Sequence, residues 1–180
     1  EQFEVKIKIK TIGNASLIHK ENAYWSIHGP VIKGKKQTYA IRYSKSKDIR
    51  MIEQWYKMNK ATNIDEWLDA MKIMSIPMFN AGYADKDGNI LYIYNASIPE
   101  RNPDYNWQSV LPGNTSETLW DTYIDFEKLP ILINPDNGFI QNCNSSPFQT
   151  TLGNSNPKKE NYPASYGIEN HMTNRALRAL

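Results

Sequence analysis

Pro77-Met78-Phe79-Asn80-Ala81-Gly82-Tyr83-Ala84-Asp85-Lys86-Asp87-Gly88-Asn89-Ile90-Leu91-Tyr92 is the stretch that decides the fold. Asp85-Lys86-Asp87-Gly88 resembles the start of a calcium loop, which would set helices on both sides. The later ligand positions and the closing Glu are missing, because Ile90, Leu91 and Tyr92 follow at once. Apolar runs flank a turn that carries Asp-Gly, and this predicts a hairpin instead. Its strands are expected over residues 78–84 and 90–95.

Towards the N-terminus, Pro77 closes a helical region. One amphipathic helix is expected at about 46–60, with Ile49, Ile52, Trp55, Tyr56 and Met58 near one face. A second is expected at about 64–74, with Ile64, Trp67, Leu68 and Met71 at helical spacing. Asn63 followed by Glu66 is a helix-start signal, since both side chains can take up free backbone donors. Strands are expected at 24–28 and 37–43, with Gly29-Pro30 as turn and Lys33-Gly34-Lys35-Lys36 as loop. In residues 2–10, Phe3, Val5, Ile7 and Ile9 alternate with mostly charged residues, as in a half-buried strand.

Towards the C-terminus, residues 97–130 are rich in Pro and Asn and have little periodicity, so an ordered covering loop is expected. Asn134-Pro135-Asp136-Asn137-Gly138 is a turn, and a strand is expected over 138–143. A polar loop at 149–161 and a helical start at Asn174–Leu180 complete the chain. The fold class that follows is α+β, mainly antiparallel strands with the helical pair at about 46–74 packed on one side.

The length of 180 residues fits one domain with a real core. Hydrophobic residues make up 40% and charged residues 22%, an ordinary globular balance. A net charge of +2 is too small to argue for nucleic acid or an anionic membrane. No apolar run reaches membrane-spanning length, so no membrane insertion is expected. The single Cys143 excludes an internal disulfide and a zinc site built on several thiolates. The chain begins in mid-pattern and ends inside a helical pattern, so a segment of a larger protein is expected.

Few residues carry a chemical signal. His28 sits beside Gly29-Pro30, where a structural role competes with catalysis. Cys143 has no local base signature and reads as an inert thiol rather than a nucleophile. Asn142 and Asn144 stand where an apolar run meets small polar residues. There a carboxamide can donate to an oxygen that becomes negative in acyl transfer, or simply shape a turn. Arg175 and Arg178 lie on the last helical stretch, facing either an anion or solvent. Asn14, Asn95, Asn114 and Asn144 each begin an Asn-x-Ser glycosylation pattern. There is no recognisable Ser-His-Asp arrangement, so part of an active site is expected and not the whole.

Four motifs in order extend over nearly all of the chain. They are Ile27-His28-Gly29-Pro30-Val31 with Tyr39-Ala40-Ile41-Arg42-Tyr43; Pro77 to Tyr92 continuing to Ile98-Pro99-Glu100-Arg101; Leu111-Pro112-Gly113 ahead of Trp120; and Asn134-Pro135 to Pro147, followed by Tyr162-Pro163 and Arg175. Together they resemble the β-chain of the penicillin acylase family, which includes acyl-homoserine lactone and cephalosporin acylases. The resemblance implies an interior part of an N-terminal-nucleophile hydrolase with an αββα core. It implies a precursor that cleaves itself to expose a Ser whose α-amino group is the base. That Ser and the pocket-forming α-chain would lie outside this sequence, so the fragment alone is expected to be inactive. The implied substrate is a linear acyl amide such as a penicillin or an acyl-homoserine lactone, and the implied location is periplasmic or secreted.

By motif position, the resemblance matches its oxyanion Asn to Asn144 and its downstream active-site Arg to Arg175, with Arg178 as the alternative. No cofactor is implied. Some members hold a structural calcium through an acid at the position of Tyr166 here, which makes that ion doubtful. Two other readings stand beside this one. A non-catalytic module could bind carbohydrate or peptide by stacking on the Tyr- and Trp-containing loop at 97–123. A degenerate relative could have lost the nucleophile.

Overall fold

A computed structural model describes residues 1–180. It is α+β, with antiparallel sheets and few helices, and it divides into two compact units. The smaller contains Glu1–Tyr43 and Gly113–Leu119; the larger contains Ser44–Pro112 and Trp120–Leu180.

The smaller unit is a four-stranded meander of β1 (Gln2–Lys10), β2 (Ser16–Ser26), β3 (Gly29–Lys33) and β4 (Thr38–Ala40), each antiparallel to the next. The strand expected at 2–10 is β1. Its partner β2 is longer than expected, because β1 supplies a full ladder from Gln2↔Tyr24 to Lys10↔Ser16. Gly29-Pro30 is not the turn. Ile27 and His28 make the turn, and Gly29 and Pro30 open β3 opposite Ser26 and Trp25. Gly29 has φ 128°, and a Cβ there would stand 2.3 Å from the Ile41 carbonyl oxygen. Glycine is therefore required for close strand approach rather than for reversal. The half-buried expectation for β1 does not hold, since all nine of its residues are exposed.

The larger unit holds the core. Helix α1 (Met51–Lys60) starts later than expected. The carboxylate of Asp48 accepts the Arg50 N–H at 2.9 Å, and Lys45 is left-handed with φ 57°, so residues 45–48 form a turn. The face carrying Ile49, Ile52, Trp55 and Tyr56 is exposed. The buried residue of α1 is Gln54, whose Oε1 accepts the Ser75 N–H at 2.8 Å. Satisfying that amide is what makes a polar residue tolerable inside.

Helix α2 (Ile64–Met71) starts as the cap signal predicts: Asn63 Oδ1 accepts the Glu66 N–H at 2.9 Å. Glu66 reaches back to the Thr62 N–H and hydroxyl. Trp67, Ala70 and Met71 are its buried face.

The predicted hairpin is present as β5 (Phe79–Ala84) and β6 (Ile90–Asn95), and β7 (Ile131–Ile133) adds to β6. Asp85 builds the turn by accepting N–H bonds from Asp87 and Asn89 and an O–H bond from Tyr83. Leu91 and Ile93 are fully buried against Trp67, Met71, Met74, Ile98, Ile124, Phe126 and Leu129. Burial of each such side chain contributes about 1.5–3 kcal/mol. The short helix α3 (Asn174–Ala179) ends the chain, capped by Thr173 and anchored by the buried Ala176.

Candidate functional site

The segment from Asn134 to Phe148 starts from the edge of the β5–β6–β7 sheet. Asn134 is left-handed with φ 46°. Its Oδ1 accepts the Ile90 N–H at 2.9 Å, and its Nδ2 donates to Asn89 Oδ1 at 3.1 Å. The turn is thus tied to the base of the hairpin. Gly138 closes it with an N–H bond to the Pro135 carbonyl at 2.8 Å.

Residues 138–143 are not a strand. Gln141 makes a single N–H bond to the Thr150 carbonyl at 2.8 Å, and its side chain donates to the Gln149 carbonyl at 2.7 Å. The strand is Ile131–Ile133, on the other side of the turn. An apolar pair such as Phe139-Ile140 looks like strand in sequence but finds no ladder here.

Next comes a tight reversal. Asn144 is left-handed with φ 55°, a region where short polar side chains replace glycine. Asn142 Oδ1 accepts the Asn144 N–H at 3.1 Å and holds that conformation. Ser146 Oγ accepts the Phe148 N–H at 3.2 Å and caps a single 3₁₀ turn over Pro147–Gln149. The Ser146 N–H donates to the His171 carbonyl at 3.3 Å, tying the reversal to the approach to α3.

Helix α3 then delivers Arg175. Its Nη2 donates to Asn144 Oδ1 at 3.1 Å and to the Cys143 carbonyl at 3.1 Å. A guanidinium only donates, so the Asn144 atom that faces it must be the oxygen. The Asn144 Nδ2 hydrogens therefore point away, and no protein group accepts them. Arg175 pairs with no carboxylate, so its positive charge stays on this site. Both residues are exposed. Arg178, one turn further on, makes neither contact. The geometry is that of an uncharged donor whose direction is set by a cation behind it.

The other candidates lie elsewhere or play other parts. His28 is held by the Gly113 carbonyl, 3.1 Å from its Nε2, inside the smaller unit. Cys143 is half-buried and contributes its carbonyl to Arg175. Of the four glycosylation patterns, the one at Asn95 is buried, with its Nδ2 on the Ile76 carbonyl. In the 97–112 loop, Arg101 stacks on Trp107 at 5.3 Å and on Trp120 at 6.0 Å. Trp107 also donates its Nε1–H to the Asn102 carbonyl at 2.7 Å. These rings pack within their own unit.

Position 166 carries Tyr166, and no three His, Cys, Asp or Glu side chains gather to hold a metal ion. No helix is long and apolar enough to cross a membrane.

One residue escaped the sequence reading. Asn142 Nδ2 donates to the hydroxyl of Tyr92 at 3.4 Å, and Tyr92 is buried on β6. In sequence Tyr92 is one more aromatic in a strand, and nothing local marks it. Burial pushes its phenol well above the ordinary tyrosine value, so it remains a neutral hydroxyl.

Residues 1–180 match the model of the penicillin amidase family throughout. Penicillin G acylase of Escherichia coli is 30% identical over 145 residues, covering 78% of this chain and 16% of that protein. The acyl-homoserine lactone acylase PvdQ of Pseudomonas syringae pv. syringae (strain B728a) is 26% identical over 169 residues, covering 79% of this chain and 21% of that protein. A solved structure of a thermostable penicillin G acylase from Alcaligenes faecalis superposes with a TM-score of 0.68 at 26% identity. It covers 86% of this chain and 28% of that one. The chain thus spans well under a third of the length of each of these relatives.

Proposed function

The chain belongs to the penicillin amidase family, and on that premise we propose that it supplies the oxyanion-holding part of an amidohydrolase that releases an acyl group from an amine. The observation that carries the reading is the Arg175–Asn144 contact. It turns the Asn144 Nδ2–H outward as a fixed donor beside an unneutralised cation.

In the proposed reaction, an N-terminal Ser elsewhere in the same precursor attacks the substrate's carbonyl carbon. Its own α-amino group takes the hydroxyl proton and later passes it to the leaving amine. The carbonyl oxygen gains charge in the tetrahedral intermediate, and Asn144 Nδ2–H donates to it. Water then hydrolyses the acyl ester by the reverse sequence. Asn suits this duty because its amide donates without titrating, whereas a carboxylate would repel the developing charge. Arg175 stabilises the amide's orientation and adds long-range positive potential.

The proposed partners are the α-chain and the remainder of the β-chain of a self-cleaving precursor. The proposed substrates are linear acyl amides, penicillins and acyl-homoserine lactones among them. The chemistry needs no cofactor, and a periplasmic or secreted location is proposed. Residues 1–180 alone, without the nucleophile, are expected to be inactive.

The test uses the full-length protein that carries this chain, as wild type and as Asn144→Asp. Mass after purification reports processing, and a panel of phenylacetyl, fatty-acyl and glutaryl amides reports hydrolysis. Loss of one oxyanion donor should lower kcat by about 10²–10³-fold. Two processed chains with activity that collapses in Asn144→Asp support the reading. Wild-type kcat in that variant would exclude Asn144 from the reaction.

A further inference from the structure

We propose that the buried Tyr92, acting through Asn142, is a positioning residue that holds Asn144 in its donating pose. The proposal rests on the oxyanion reading of Asn144 above and adds a second brace to the Arg175 contact.

The amide of Asn142 has one consistent orientation. Its Oδ1 accepts the Asn144 N–H at 3.1 Å, because a backbone N–H can only donate. Its Nδ2 therefore faces Tyr92 and donates to the hydroxyl oxygen at 3.4 Å. The chain of donors runs from Asn144 through Asn142 to the buried Tyr92, which ties an exposed reversal to the middle of the sheet.

Tyr92 is the rigid end of this chain. It lies in the middle strand of its sheet, paired with Gly82 on one side and Leu132 on the other, and is 1% exposed. Asn144 is exposed and sits in a left-handed reversal. Arg175 fixes the oxygen of its amide, and Tyr92 with Asn142 fixes its backbone. A small displacement of a donor from the oxyanion costs rate rather than substrate affinity, because the contact matters only in the transition state.

The experiment measures kcat and KM of the full-length processed protein, per folded active site, for Tyr92→Phe, Asn142→Ala, Asn144→Ala and Tyr92→Phe/Asn144→Ala. Asn142 is exposed, so its truncation tests the relay where Tyr92→Phe misfolds. Tyr92→Phe and Asn142→Ala are each expected to lower kcat about 3–10-fold, the worth of one hydrogen bond, with KM unchanged. With Asn144 already Ala, Tyr92→Phe should lower the residual kcat no further. A merely structural role would give the same loss in both backgrounds and would overturn the proposal. Unchanged kcat in both single variants, alongside a collapse in Asn144→Ala, would also overturn it while leaving the oxyanion reading intact. Wild-type kcat in Asn144→Ala would remove that reading and this one with it.

Discussion

Strands β1 and β6 both carry large apolar side chains, and these meet opposite fates. In β1, Phe3, Val5, Ile7 and Ile9 stay 37–48% exposed, whereas in β6 Leu91 and Ile93 are at 0%. The ladder of β1 is complete, yet no layer within its unit covers the apolar face. The β5–β6–β7 sheet has Trp67 and Met71 of α2 and the 124–129 segment packed on it. Hydrogen-bonded pairing makes a strand, and a second layer makes a core. The smaller unit is held by backbone, the larger by side chains.

The sharpest way to break this contrast is truncation in each strand. Leu91→Ala should cost about 2–5 kcal/mol in urea unfolding, as buried Leu deletions do. Ile7→Ala in the same chain should change stability by less than about 0.5 kcal/mol. A larger loss at Ile7, measured in the full-length protein, would show that something beyond this sequence covers β1.

A smaller effect probes the backbone-held unit on its own terms. Gly29→Ala meets both a positive φ and the Ile41 carbonyl, so strain of about 1–3 kcal/mol is expected. Circular dichroism on melting should show the loss. A variant as stable as wild type would mean that the meander shifts freely to admit the methyl group.

The smallest effect concerns the rim of the larger unit. Partial burial would raise the Asp48 carboxyl, but the Arg50 N–H, the Ser75 hydroxyl and Lys45 outweigh it and hold it below its ordinary 3.8. The folded value is the lower one, so its contribution is present above pH 3.8 and is lost as pH falls through the folded value. Asp48→Asn should flatten that part of the stability profile, as urea midpoints at descending pH would reveal. An unchanged slope would assign acid sensitivity to other carboxylates.

Much of the fold is legible because its causes are local. The Asp85 turn organises its own hydrogen bonds within five residues, so the hairpin can be read from composition. Asn63 and Glu66 cap α2 by the same short-range logic. Errors occur where a distant partner decides. Residues 16–23 lack clean alternation and become strand only because β1 lies alongside. Gln54 turns inward because Ser75, 21 positions away, satisfies its amide, and the apolar side of α1 is left in solvent.

The site divides in the same way. The reversal at Asn144 is visible as turn chemistry. Its contact with Arg175 spans 31 positions, and that of Asn142 with Tyr92 spans 50. Spacing alone could not choose between Arg175 and Arg178. In the fold only Arg175 reaches the amide.

The left-handed backbone of Asn144 leaves this position without a synonym in the genetic alphabet. Gly, Asn and Asp are the residues at ease there. Gly keeps the shape but has no side chain to offer. Asp keeps the shape and size but exchanges a donor for a charged acceptor. Gln keeps the amide but carries it one methylene too far, on a backbone that resists the conformation. Every single step away from Asn therefore gives up either the chemistry or the conformation.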